Sequence, residues 1–315
     1  MQKPVKIDHD QWVLAYRGAK ALLDPFRAYR TAWEEEPDAS GRLVPTAVVF
    51  LTNKECPFRC VMCDLWVNTL DTRVPIGAIA RQIRDARAAL PQATQIKLYN
   101  AGSFFDPDAI PVEDDDAIAV AVDGCERVIV ESHPAFLAGR HGQRCLRLRD
   151  RLSGRLEVAI GLETADPNVL ARLNKRMTFE SFARAAEFLT RHEIDLRVFI
   201  LLKPPFADHD YVQWACRSVD FAREHGASVC SVIPTRAGNG VMETLEPPFV
   251  PPTIEALEQV IEYALCSPDR AMRVFADLWD ISRLSACRCS PARIERLRTM
   301  NLEQRLADHV LCGDC

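Results

Sequence analysis

Three cysteines, Cys56, Cys60 and Cys63, fall within eight residues in the spacing C-x3-C-x2-C. Three thiolates on so short a loop do not close a four-ligand site. They can hold three irons of a cubane 4Fe–4S cluster and leave the fourth iron open to bind a ligand. A zinc knuckle is the competing reading, but it needs a fourth ligand and usually a C-x2-C pair on each side. A second set ends the sequence. Cys287 and Cys289 (C-x-C) and Cys312 and Cys315 (C-x2-C) offer four thiolates. Four thiolates with no open position suit structural zinc, and they also suit a second iron–sulfur cluster. Cys125, Cys145, Cys216, Cys230 and Cys266 are scattered and read as small packed hydrophobes.

An apolar, β-branched run over 46–52 precedes the first set and predicts a buried strand, with the cysteines on the loop that leaves it. Further strands are predicted at 95–99, 127–131, 156–162, 196–202 and 228–233, which with 46–51 makes six. Helical stretches near 76–90, 136–152, 179–192 and 209–225 separate most of them. Such alternation predicts an α/β fold with a parallel sheet, and a sheet of this kind curled into a barrel presents its chemistry at the C-terminal strand ends. Residues 9–35 read as helix, with Trp12, Tyr16, Ala19, Leu23 and Phe26 at helical spacing and Glu34, Glu35 and Glu36 as its solvated end. The acidic run 113–116 reads as a solvated turn or helix start, and the Pro-rich segment 247–252 as a rigid connector before a helix near 253–266. Leu302 and Leu306 suggest a helix that brings the last two cysteine pairs together. The chain divides into a helical extension (1–45), the barrel (46–280) and a cysteine-rich, metal-binding tail (281–315).

The 315 residues, 48% hydrophobic and 26% charged, have an ordinary globular composition. No run approaches the roughly 18 apolar residues of a membrane helix, and the N-terminus lacks the apolar core of a signal peptide. A cytoplasmic protein is expected, in which twelve cysteines serve as metal ligands and buried thiols rather than disulfides. A net charge of −5 argues against a general polyanion binder and leaves a local basic patch open.

Polar residues just past the strands are the site candidates. They are Asn100, Gly102 and Ser103 after the second strand, Glu131, Ser132 and His133 after the third, and Glu163 after the fourth. Lys175 and Arg176 follow on a turn, Lys203 lies before Pro204 and Pro205, and Arg236 stands near Gly238 and Gly240 in a loop suited to an anionic group. His133, a single histidine on a loop, reads as structural.

These motifs resemble the radical S-adenosylmethionine (SAM) superfamily, in which C-x3-C-x-Φ-C follows the first strand of a (β/α)6 partial TIM barrel. The resemblance implies that Cys56, Cys60 and Cys63 hold a 4Fe–4S cluster and that Met62, at the Φ position, meets the adenine of SAM. Asn100, Gly102, Ser103, Glu131, Ser132, Glu163, Lys175 and Lys203 become the implied SAM contacts. The Glu131 and Glu163 segments are similar to the branch containing the Elongator catalytic subunit, where glycine is usual at the place of Arg176. The Cys287-Arg288-Cys289 tract resembles a zinc-binding stretch in that branch and favours zinc for the small C-terminal extension. The segments 101–106 and 201–206 look like archaeosine-synthesis radical SAM proteins. That likeness implies a lyase of C–N type acting on a modified nucleoside or transfer-RNA base. It also implies a one-electron reductant of flavodoxin or ferredoxin type and a partner enzyme upstream. A small metabolite is the alternative substrate, and a non-catalytic, metal-bound RNA-binding module is the third reading.

Overall fold

The computed structural model describes residues 9–207, 209–284 and 287–313. One eight-stranded sheet runs in chain order: β1 (Arg30–Pro37), β2 (Leu43–Phe50), β3 (Gln95–Tyr99), β4 (Arg127–Glu131), β5 (Arg155–Glu163), β6 (Asp195–Leu202), β7 (Val229–Pro234) and β8 (Arg273–Ala276). β1 pairs antiparallel with β2, and β2 to β8 are parallel. The helices are α1 (His9–Ala15), α2 (Ala78–Ala89), α3 (Asp115–Ala121), α4 (Gly139–Arg151), α5 (Pro167–Arg172), α6 (Phe179–Arg191), α7 (Tyr211–Glu224), α8 (Ile254–Leu265) and α9 (Ser290–Glu303).

Strand alternation sorts the sheet into two faces. Val49, Leu98, Val130, Ile160, Ile200, Val232 and Val274 face the helices and join Ile79, Ile83, Phe182, Leu257 and Val260 in the main core. The opposite face curls around a lumen, and its lower layer is ionic. Arg197 is 2% exposed and donates to Glu157 at 2.6 Å and to Glu36. Lys97 donates to Glu34 at 2.6 Å and to Glu36. Burial works against the Glu36 charge, but Arg197 and Lys97 outweigh it and hold the carboxyl well below its ordinary range. Arg273 of β8 reaches the carbonyl of Pro37 at 2.6 Å, so the unpaired edges β1 and β8 meet at this floor.

α9 covers the β8 edge. The Asn301 side-chain amide donates to the Ala276 carbonyl and accepts from its N–H, both at 2.8 Å. Gln304 does the same for Val274, at 3.0 and 2.8 Å. Edge groups that would invite another strand are thereby satisfied.

All six expected strands are present, flanked by β1 and β8, which were not expected. The helix expected over 9–35 is confined to His9–Ala15, and Glu34 and Glu36 lie on a strand with their carboxylates in the floor rather than at a solvated helix end. β1 does alternate, but its inward residues in the floor are Glu34 and Glu36, which reads as a surface pattern until their partners are known. The acidic run does start a helix, yet Asp114 and Asp115 are buried: Asp114 accepts from the Gly77 N–H at 2.6 Å, and Asp115 binds Arg144 at 2.7 Å. Cys125, Cys145 and Cys230 are buried as expected and Cys216 is half-buried, whereas Cys266 is exposed at the end of α8.

Removing Arg197 leaves Glu36 and Glu157 buried without their shared cation. Arg197→Ala should therefore destabilise the fold by about 3–5 kcal/mol, while loss of the exposed Arg191–Glu187 pair should change stability by less than about 1 kcal/mol. Urea denaturation of the two variants checks this, and equal small losses would mean that the floor does not hold the sheet together.

Candidate functional site

The loop leaving β2 carries Cys56, Cys60 and Cys63 and is tied down along its whole length. At its start the Thr52 N–H donates to Gln82 of α2 at 2.9 Å, and the fully buried Gln82 amide donates back to the Thr52 carbonyl at 2.9 Å. Glu55 pairs with Arg17, with Lys20 at 2.7 Å and with Arg59 at 3.0 Å. The Val61 N–H donates to the Leu173 carbonyl at 3.0 Å, and Asn174 donates to the Arg59 carbonyl at 2.8 Å. From beyond β7, Asn239 donates to the carbonyls of Val61 at 2.6 Å and Cys63 at 3.2 Å. Loops held from so many sides keep ligand atoms where the fold puts them.

All three cysteines are half-buried. Burial raises each thiol, Cys63 to about 12, and the Lys175 ammonium works in the opposite direction at Cys56 and Cys60. Such thiols ionise when a metal takes the place of the proton.

The strand-end residues gather around this loop. Gly102 lies where a Cβ would stand 3.5 Å from the Cys56 Cβ. Asn100 is fully buried, and neither polar atom of its side-chain amide has a partner. Its backbone N–H donates to Glu131 at 3.2 Å. Burial pushes the Glu131 carboxyl up to about 8, against the Asn100 N–H and Lys175. Ser103 accepts from the His133 N–H at 2.9 Å, and Ser132 is buried with its N–H on the Ala159 carbonyl at 2.9 Å. The turn bearing Lys175 is fixed at both ends: the Leu173 N–H closes α5 onto the carbonyls of Val169 and Leu170, and Thr178 caps the start of α6. Lys175 reaches Glu163 at 2.5 Å; burial opposes its charge, but Glu163 and Cys60 outweigh that and raise its pKa. Met62 is half-buried against the core.

Three strand exits carry non-glycine residues in the left-handed region: Ala101 (φ 51°), Glu163 (φ 67°) and Lys203 (φ 55°). Such backbone costs energy and clusters where side chains or carbonyls must be aimed. A buried amide without partners, three thiols and an adjoining carboxylate–ammonium pair fit a three-thiolate cluster with a polar ligand beside it.

Other expected residues have different surroundings. Both His133 ring nitrogens are used: Nδ1 accepts from the Ala135 N–H at 3.1 Å, and Nε2 lies 3.0 Å from the Lys175 carbonyl. Its ring stacks on Phe58 with centroids 3.9 Å apart, and burial lowers its pKa to about 3, so it stays neutral. Arg176 is exposed and pairs with Asp10, which leaves Lys175 as the cation at the mouth. Lys203 turns to the Tyr211 ring, 5.1 Å away. Arg236 pairs with Asp280 at 3.2 Å, and the N–H groups of Gly238 and Gly240 donate to the protein's own Glu243. Gly240 is obligatory there, since a Cβ would stand 1.9 Å from the Tyr16 carbonyl oxygen. Gln82 and Asn239, which grip the cysteine loop, were not anticipated, and the sole sequence cue is that Asn239 sits between two glycines.

In the tail, the sulfurs of Cys287, Cys289 and Cys312 lie within 4.8 Å of one another, a set able to hold a metal ion. Cys287 is 3.3 Å from Cys289 and 3.7 Å from Cys312. Cys315 lies outside the described residues. The expected intervening helix is α9, with Leu297 and Met300 buried; Leu302 is half-buried and Leu306 is exposed beyond its end.

No family model matches the chain. It is 25% identical over 312 residues to archaeosine synthase subunit beta of Methanosarcina acetivorans, covering 94% of this chain and 89% of that one. In fold it is similar to methylornithine synthase (PylB), with a TM-score of 0.51 at 15% identity over 71% of this chain and 64% of that one. Archaeal Elp3 of Methanocaldococcus infernus overlaps at a TM-score of 0.49 and 12% identity, over 71% of this chain and 59% of that one. The chain thus spans less than two thirds of each of these solved proteins. Sequence, fold and the C-x3-C-x2-C loop agree: the chain resembles the radical SAM enzymes, and in sequence it resembles archaeosine synthase subunit beta.

Proposed function

We propose that this chain is a radical SAM enzyme acting on a base of transfer RNA or a modified nucleoside, with lyase chemistry of C–N type. The observation that carries the reading is the three-thiolate loop beside the unpartnered Asn100 amide and the Glu163–Lys175 pair. Cys56, Cys60 and Cys63 would hold a 4Fe–4S cluster, which when bound supplies one-electron cleavage of SAM to methionine and a 5′-deoxyadenosyl radical. Asn100, Gly102, Ser103, Glu131 and Ser132 would take the amino and ribose groups of SAM, Lys175 its carboxylate and Met62 its adenine, with Glu163 orienting Lys175. Lys203 would serve at the rim. The similarity to archaeosine synthase subunit beta supports the transfer-RNA reading. The enzyme would work in the cytoplasm with a flavodoxin- or ferredoxin-type donor, after an upstream partner enzyme has prepared the substrate. No described helix is long and apolar enough to cross a membrane.

For the tail, the reading is a structural zinc ion on Cys287, Cys289, Cys312 and Cys315. Tetrahedral zinc with bonds of about 2.3 Å holds its sulfurs about 3.8 Å apart. The observed 3.3 and 3.7 Å suit one shared ion. In a cubane each thiolate binds a separate iron, so the sulfurs stand farther apart.

Changing Cys56, Cys60 and Cys63 together to Ala should abolish reductive SAM cleavage and remove about four irons per chain, with the tail metal retained. A triple variant that still forms 5′-deoxyadenosine after anaerobic reconstitution would overturn the assignment. Glu131→Ala and Lys175→Ala should each weaken SAM binding by about tenfold without loss of iron; unchanged affinity in both would remove the strand ends from the SAM site. Truncation after Leu311 should cost about one zinc per chain, leave iron unchanged and make the tail protease-sensitive. Loss of about four irons would instead identify an auxiliary cluster.

A further inference from the structure

The lumen between the ionic floor and the cysteine loop has no role in the assignments above. Its inward-facing residues change character with height. Val48, Lys97, Arg197 and Val229 are buried, whereas Phe50, Tyr99, Phe199 and Ser231, two residues further along the same strands, are half-buried although they also point inward. Side chains that face the inside of a barrel yet keep exposed surface line a cavity.

The rings there touch in a continuous arc, tilted between Tyr29 and Phe50 and edge to face at the other contacts. Phe50 lies 5.7 Å from Tyr29, 6.0 Å from Tyr99 and 5.3 Å from Trp279, and Tyr99 lies 6.0 Å from Phe199. The arc draws on β2, β3 and β6, on Tyr29 just before β1 and on Trp279 just after β8, so it bridges the open seam of the sheet. Arg30, in register with Phe50 and so on the same face of the sheet, places its guanidinium over the Trp279 ring at 4.0 Å and fixes that ring at the seam. Edge-to-face rings fix one another and leave flat, polarisable faces for a further ring.

One acidic group belongs to this wall. Asp277 follows β8 on the lumen side, two residues past Phe275, which is in register with Ser231. Its N–H donates to the Val232 carbonyl at 2.9 Å, and one carboxylate oxygen accepts from the Trp279 N–H at 2.9 Å. Burial raises its pKa, and the charges that act on it include Arg236 from the mouth and Lys97 and Glu34 from the floor.

We propose that Tyr29, Phe50, Tyr99, Phe199 and Trp279 form the seat for a planar heteroaromatic ring, whose edge N–H donors are read by the Asp277 carboxylate. This rests on the reading of the mouth as a SAM site and adds the residues that select the substrate. Stacking on the arc accepts any flat base, while a carboxylate accepts only from donors, so it favours an edge with adjacent N–H groups over an edge that presents a ring-nitrogen acceptor. The floor sets how deep the ring descends, since Lys97 and Arg197 are already neutralised and offer it no free charge.

The test is equilibrium dialysis of the full, anaerobically reconstituted chain with guanosine, which carries adjacent donors, and with adenosine, which does not. Wild-type protein should bind guanosine saturably and at least about tenfold more tightly than adenosine. Asp277→Asn should erase most of that preference, Tyr99→Leu should weaken both nucleosides about tenfold and equally, and Arg191→Ala on the outer helix should change neither. A merely structural role for Asp277 would lower both affinities together. Absence of saturable guanosine binding, or a preference retained in Asp277→Asn, overturns the proposal. Protein that cleaves SAM but does not bind guanosine sinks this inference alone. Protein that binds with the stated pattern but never cleaves SAM sinks the enzymatic reading alone.

Discussion

Arg197 cannot shed its charge and is fully enclosed, so the fold must bring carboxylates to it. They come from β1 and β5, and Lys97 and Arg273 extend the contact to β3 and β8. A buried ion pair adds little net stability, but breaking one is expensive, so its effect is to select an arrangement. A one-residue slip of β1 would turn Glu36 out of the lumen and strand Arg197. The antiparallel first strand is therefore locked in register, and with it the lower end of the lumen is closed.

At the other end the constraint differs: Glu163 and Lys175 satisfy each other, but the Asn100 amide beside them is held in place without a partner. The cysteine loop is gripped through its carbonyls and N–H groups by α2, the α5–α6 turn and the loop after β7, so its position does not depend on the thiols alone. Asn100 keeps both amide atoms unpartnered, and left-handed backbone appears at three strand exits. A protein can sustain buried orphan groups and strained exits when the surrounding packing over-determines them. The sheet supplies that packing, because its helix-facing side forms one continuous core from α2 to α9.

This division explains what could be read in the sequence. Strands β2 to β7 were legible because one face of each must be apolar against a helix. The three-cysteine spacing was legible because its ligands are neighbours in the chain. β1 escaped because its buried residues are glutamates whose cations lie about sixty and one hundred and sixty positions away. β8, four residues long, gives too short a period to register. Gln82 and Asn239 act on backbone carbonyls, which any residue offers, so no partner type in the sequence could betray them. Arg176 is informative in the other direction. Its φ of 58° lies in the region glycine prefers, and its side chain pairs with Asp10 rather than with the groups around the cysteine loop.

The two sulfur sites place different demands on the fold, and the tail site is coupled to the barrel through α9. Cys289 immediately precedes that helix and Cys312 follows it, with their sulfurs drawn together near Cys287. A metal shared by them would clamp the segment that returns from the helix end onto its start. Arg296, midway along α9, already binds the carbonyls of Ala307 and Asp308 in that returning segment and Glu262 of α8 at 2.7 Å. The same helix presents Asn301 and Gln304 to the exposed edge of β8. The tail site therefore adjoins the helix that covers the parallel edge β8 of the sheet, next to the seam where Trp279 meets Phe50. The closed zinc site proposed for the tail would suit this position because its ligands would need no open coordination place and no substrate access, only permanence. On the function proposed above, the three-cysteine loop sits at the strand ends for the complementary reason, since SAM would have to reach it from the mouth.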